Sequence, residues 1–103
     1  MDEKLLGTWA QIEGQPYPGL EFVFNKDGTF EAVFEPMSIE SGGTYEAEDG
    51  IIDVDQTRHT LGMTGQFKGR YAIEGKTLKL ALNKTGAARP KDLSDARIYE
   101  HVA

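Results

Sequence analysis

The chain has 103 residues, no cysteine and a formal net charge of −6. This length supports a single domain over residues 1–103 with one hydrophobic core, and the lack of cysteine excludes a disulfide framework and a thiolate site. The acidic balance argues against nucleic acid as a partner, because binding a phosphate backbone needs a cationic surface.

Strand and turn signals alternate from the N-terminus, with no helix beyond a short turn at residues 2–6. The first strand covers residues 7–13 and carries Trp9, the only tryptophan. Two prolines and two glycines follow in residues 14–19 and cannot sustain a strand ladder. The next two strands form a hairpin through Lys26-Asp27-Gly28, a typical short turn. Alternate positions of this hairpin direct four rings to one interior: Phe22, Phe24, Phe30 and Phe34.

The rest of the chain, from residue 36, continues the alternation of strand and turn signals. Tyr45 and Tyr71 open strands that we expect to direct both rings inward. Residues 36–42 and 83–95 are predicted loops, and residues 57–66 are compatible with either a frayed strand or a mobile loop. The remaining predicted strands cover residues 43–48, 51–56, 67–73, 77–82 and 96–102.

Eight short strands in sequential order favour an all-β fold, a single up-and-down antiparallel β-barrel, because closure removes exposed strand edges. Such a barrel is filled by its own side chains or holds one small ligand. We expect Trp9 at the closed bottom of the barrel. A cation–π contact with Arg97 on the last strand would form a clasp that joins the two ends of the chain.

Two terminal motifs carry a resemblance to known proteins. Leu6-Gly7-Thr8-Trp9 is similar to the first strand of fatty-acid-binding proteins, and Arg97-Ile98-Tyr99-Glu100 is similar to their last strand. Gly-x-Trp early and Arg late are the shared signature of the calycin superfamily, which includes the lipocalins. Residues 69–80 and Arg89-Pro90, with Ile52-Asp53 upstream, resemble more closely an uncharacterised lipocalin-like domain family first noticed in planctomycetes. The resemblance implies a lipocalin-like barrel.

The chain departs from both families in one respect each. It lacks the cysteine that members of the uncharacterised family often carry on the strand at residues 78–82. It is also shorter than fatty-acid-binding proteins and has no room for their helical lid.

Arg97 and Tyr99 are the first candidates for a ligand site. Residues two apart on a strand share a face, and an arginine beside a tyrosine hydroxyl can bind a carboxylate through charge-assisted hydrogen bonds. The resemblance implies the same role, since the matching Arg-x-Tyr of fatty-acid-binding proteins holds the fatty-acid head group. The alternative is that Arg97 covers Trp9 and Tyr99 fills the core. The predicted ligand-binding set is Arg97, Tyr99, Phe22, Phe24, Phe30, Phe34, Tyr45 and Tyr71.

Other groups of polar residues give weaker indications of chemistry. Asp53, Asp55 and His59 resemble a metal-ligand set, but strand alternation makes the two aspartates part of a solvated outer face. No serine or cysteine nucleophile stands beside His59 or His101. The paired glycines lack the lysine and helix of a phosphate-binding loop. We therefore predict that the protein is not an enzyme and uses no metal and no cofactor.

Charge is distributed unevenly along the chain. Residues 1–56 carry a net charge of −11 and residues 57–103 carry +5. In a barrel built strand by strand, these halves become two sides, which are either solvated surfaces or a contact with a protein partner or a second copy. Two functions stay open. One is a carrier or sensor of a small apolar or amphipathic carboxylate, and the other is a filled barrel that acts as a structural or interaction module.

The sequence contains no apolar run of about 18 residues and no basic and apolar leader after Met1. These features predict no transmembrane segment and a cytoplasmic location for the chain as given, with an exported mature form as the alternative.

Overall fold

Alternating apolar and polar residues close into a barrel in the computed structural model, which describes residues 2–103. Eight antiparallel strands follow one another around the barrel, and β1 pairs with β8 to close it. The described chain has two single-turn 3-10 helices, Glu3–Leu5 and Glu35–Met37. The predicted all-β, up-and-down barrel is confirmed. The strands are β1 (Gly7–Gln11), β2 (Glu21–Phe24), β3 (Thr29–Phe34), β4 (Ile39–Glu48), β5 (Ile51–His59), β6 (Gly65–Glu74), β7 (Thr77–Asn83) and β8 (Arg97–His101).

Half of the stretch that the sequence left open, residues 57–66, is strand. β5 extends to His59 and β6 begins at Gly65, so only a short turn separates them. β4 begins four residues before its predicted start and contains a bulge between Gly42 and Gly43. A side chain at Gly43 would collide with the carbonyl of Asp55 on β5. These glycines therefore permit close strand pairing in a segment whose composition resembles a loop.

Aromatic rings fill the middle of the barrel. Phe24 packs parallel to Phe22 with ring centroids 5.7 Å apart, and edge-on against Tyr45 at 4.9 Å. Phe22 also contacts Phe30 and Tyr99, at 6.3 and 5.6 Å. These contacts join β2 to β3, β4 and β8 through side chains that pack directly against one another.

The N-terminal turn closes one end of the barrel, as predicted for the segment around Trp9. Leu5 and Trp9 are buried, and the Trp9 indole Nε1 donates a hydrogen bond to the Leu5 carbonyl at 2.8 Å. The Asp2 carboxylate accepts hydrogen bonds from the Lys4 amide at 3.0 Å and the Tyr71 hydroxyl at 2.7 Å. Burial and this carboxylate raise the pKa of Tyr71 well above its ordinary value.

The predicted contact between Trp9 and Arg97 does not form. The register of β1 with β8 sets Trp9 opposite His101, whose ring lies edge-on with centroids 4.7 Å apart. Arg97 lies four residues earlier on β8, opposite Leu80 of β7, and is exposed near the other end of the barrel. The first and last strands do pair as predicted, but a histidine takes the position that we expected for the arginine.

Four of the seven connections, including the three longest, lie together at the end opposite the N-terminal turn, because alternate connections of an up-and-down barrel share an end. They join β1 to β2, β3 to β4, β5 to β6 and β7 to β8. In the first connection, Tyr17 packs edge-on against Phe34 at 5.7 Å. Among residues 2–103, no helix has the length and apolar character needed to cross a bilayer.

Candidate functional site

A cavity of about 850 Å³ lies where β7 and β8 separate. The two strands pair only from Thr77–Leu80 to Arg97–Glu100, although β7 continues to Asn83. The connection over residues 84–96 spans the resulting gap. Leu80 and Leu82, from the inner face of β7, line the cavity together with Ala81 and Asn83 from the outer face. Because both faces of one strand contribute, the cavity is an opening in the barrel wall, and we call it the β7–β8 cleft.

The structure brings Arg97 and Tyr99 together on the wall of this cleft. Tyr99 is buried, and its hydroxyl oxygen accepts a hydrogen bond from the Gln11 side-chain amide at 3.1 Å. Gln11 is also buried, and its side-chain oxygen Oε1 accepts a hydrogen bond from the Tyr17 main-chain amide at 2.7 Å. Burial raises the pKa of Tyr99 to about 12. The hydroxyl therefore keeps its hydrogen at neutral pH and does not use it in the bond with Gln11.

Arg97 is an available cation on the β8 wall of the cleft. Within residues 2–103 its guanidinium has no hydrogen bond or salt bridge. The facing loop contributes Lys91, Asp92 and Asp95. Asp92 accepts hydrogen bonds from the Ser94 hydroxyl at 2.7 Å and the Ser94 amide at 3.0 Å, and both lower the pKa of Asp92. The Asp92 carboxylate is thus ionised but engaged, whereas Arg97 can accept a new anion.

Arg89 fixes the loop to the barrel wall. Its Nη1 donates to the carbonyls of Ile52 at 2.9 Å and Gly69 at 2.8 Å, and its Nη2 pairs with the Asp53 carboxylate at 2.6 Å. Arg70 on β6 donates from Nε to the Pro90 carbonyl at 2.6 Å. Sequence reasoning did not assign Arg89 a role. Three segments that are distant in the sequence meet here: Ile52-Asp53, Gly69-Arg70 and Arg89-Pro90.

The predicted aromatic residues of the ligand site do not line the β7–β8 cleft. Phe22, Phe24, Phe30 and Tyr45 pack against one another in the interior. Tyr71 lies at the closed end on Asp2, and Phe34 lies against Tyr17. Their alternation predicted that they face inward, but it could not show that the rings meet and fill the space between them. Of the predicted set, Arg97 and Tyr99 are the members on the cleft wall.

The residues that resembled a metal-ligand set are separated by their own partners. Asp53 pairs with Arg89, and His59 Nδ1 accepts a hydrogen bond from the Leu61 amide at 3.0 Å. Asp55 is exposed on the outer face of β5. In the part of the chain that the structure describes, no three histidine, aspartate or glutamate residues converge as metal ligands do.

No protein-family model, curated protein or solved structure matches this chain. We therefore infer its function from the geometry of the β7–β8 cleft.

Proposed function

We propose that this protein is a small, non-enzymatic, lipocalin-like binding protein that holds a small amphipathic carboxylate in the β7–β8 cleft. The observation that carries the proposal is the placement of Arg97 and Tyr99 on one wall of a cavity of about 850 Å³. The closed eight-stranded barrel and the Arg-x-Tyr of β8 support membership of the calycin superfamily, close to the lipocalin-like family first noticed in planctomycetes.

The chemistry of the cleft fits such a ligand. A guanidinium presents a planar pair of donors that match a carboxylate, and Arg97 has both available. The Tyr99 hydroxyl can donate to the same ligand, while Leu80 and Leu82 provide apolar surface beside it. Ligand pockets usually have volumes of about 300–1,000 Å³, and the cleft lies within that range. The ligand therefore binds in the barrel wall, since rings occupy the interior.

Calorimetry with a panel of fatty acids and other apolar carboxylates tests the proposal. We expect binding to the wild type and about a tenfold weaker affinity for Arg97→Gln, the scale of one lost hydrogen bond to a charged group. Arg58→Gln is the matched control, because Arg58 is an exposed arginine on β5 that faces Glu31 at 3.7 Å. Absence of heat across the panel, with no displacement of a fluorescent probe, would contradict the proposal.

A second candidate function is an interaction module, and the charge distribution favours it. Because the strands follow sequence order, the acidic residues 1–56 form most of β1–β5 and the basic residues 57–103 include β6–β8 on the other side. A second copy or a protein partner could contact these sides by charge. Sedimentation tests self-association: a mass that falls as salt rises supports it, since exposed charges are screened beyond about 8 Å at physiological ionic strength. The same monomeric mass at low and high salt would contradict it.

A further inference from the structure

The hydrogen bonds that β7 offers toward β8 continue beyond the end of β8. Along an antiparallel strand, successive residues direct their main-chain N–H and C=O groups to opposite neighbours. The His101 amide donates to the Lys76 carbonyl at 2.8 Å. The main-chain groups of every second residue after Lys76, beginning with Leu78, therefore also face β8. Leu78 and Leu80 meet Tyr99 and Arg97 in this way.

Leu82 is the next residue in this series, and β8 does not reach it. Its N–H and C=O groups face the β7–β8 cleft, whose wall it lines. Continued pairing would place Asp95 opposite Leu82, but the ladder ends at Arg97. Within residues 2–103, no hydrogen bond from the loop satisfies the Leu82 main chain on this side. The cleft therefore contains a strand-edge donor and acceptor near the available Arg97 guanidinium.

We infer that the ligand carries a secondary amide next to its carboxylate, as an N-acyl amino acid or the C-terminal residue of a peptide does. This inference rests on the proposed function. The amide N–H donates to the Leu82 carbonyl, and a carboxylate oxygen of the same residue accepts from the Leu82 N–H, as two opposite residues do when a strand is added to a sheet. A fatty acid offers acceptors to Arg97 and to the Leu82 N–H, but it leaves the Leu82 carbonyl without a donor from the protein or the ligand.

Strand direction sets the orientation of this ligand. An amide segment that pairs antiparallel with β7 runs in line with β8, so its C-terminal end points toward Arg97. Arg97 lies opposite Leu80, two residues and about 7 Å along β7 from Leu82. The flexible arginine side chain can cover the distance from the amide to the following carboxylate. Asp92 and Asp95 on the facing loop disfavour a ligand with more than one negative charge.

Three ligands of matched length separate the inference from the proposed function: N-octanoyl-leucine, its N-methyl derivative and a saturated fatty acid. We expect N-octanoyl-leucine to bind about tenfold more tightly than the other two, because each of those lacks the N–H that donates to the Leu82 carbonyl. Amide signals of Leu82 and Asn83 in labelled protein should shift with the tight ligand. An acetylated tripeptide with a free carboxylate, compared with its C-terminal amide, distinguishes the peptide source from the acyl amino acid source.

Arg97→Gln should weaken the binding of all three ligands by a similar factor and leave the order of their affinities unchanged. Arg58→Gln should change neither the affinities nor their order. Equal affinity of the three ligands for the wild type would overturn the inference and leave the proposed function standing. No binding by any of the ligands, the tripeptide included, would overturn both.

Discussion

The two ends of the barrel are built from the same eight strands but serve different purposes. At the closed end, the connections between strands are tight turns, and the N-terminal turn places Leu5 and Trp9 in full burial. At the open end, three of the four connections are longer, and the last one leaves the β7–β8 cleft in the wall. Packing holds the closed end together, whereas hydrogen bonds from a few polar side chains hold the open end in shape.

Trp9→Ala should give the largest effect and test the closed end. Trp9 is 1% exposed, and its loss removes a large ring, the contact with His101 and the bond to Leu5. We expect the free energy of unfolding to fall by about 3–5 kcal/mol, measured by urea denaturation. Trp9→Phe, which keeps a ring, should lose less. A loss below about 1 kcal/mol for Trp9→Ala would mean that the closed end is not the packed one.

Arg89→Ala tests how polar contacts hold the open end. It removes the bonds to Ile52, Gly69 and Asp53, and we expect a loss of about 2 kcal/mol. Hydrogen exchange should become faster in the 84–96 loop before it changes near Trp9. Arg58→Ala is the control, because exposed ion pairs contribute about 0.2–1 kcal/mol. Equal effects of the two substitutions would show that Arg89 does not fix the loop.

Tyr99 makes the open end sensitive to alkali. Its pKa is about 12 in the folded protein because of burial, against about 10 in an unfolded chain. The folded state thus holds this proton more tightly, so its contribution is complete below about pH 10 and is lost as pH rises toward 12. We expect the free energy of unfolding to fall by at most about 2–3 kcal/mol over this range. Denaturation at several pH values checks this, and an identical slope in Tyr99→Phe would contradict it.

Arg97→Gln should separate stability from function most clearly. Arg97 is exposed and has no partner among residues 2–103, so we expect the free energy of unfolding to change by less than about 0.5 kcal/mol. Urea denaturation measures this change. A loss above about 2 kcal/mol would mean that Arg97 supports the fold, and weaker ligand binding by this variant would then have a structural cause.

Period-two patterns predicted much of the barrel, because strand alternation and turn chemistry are local. Gly28 has a φ of 88°, as its predicted hairpin turn requires, and Arg97 shares a face with Tyr99. The pairing of β1 with β8 brings together residues from the two ends of the chain. No local sequence pattern therefore determines whether Arg97 or His101 lies opposite Trp9. The role of Arg89 depends on carbonyls on two distant strands. Whether rings fill the barrel depends on their mutual packing, which spacing alone does not encode.

The location of ligand binding tests the central claim most directly. We would titrate isotope-labelled protein with octanoate and follow the amide signals by nuclear magnetic resonance. We expect shifts at residues 80–83 and 88–99, which include the lining of the β7–β8 cleft, with little change at Phe24, Phe30 and Tyr45. Shifts centred on those interior rings, or no shifts at saturating ligand, would contradict it.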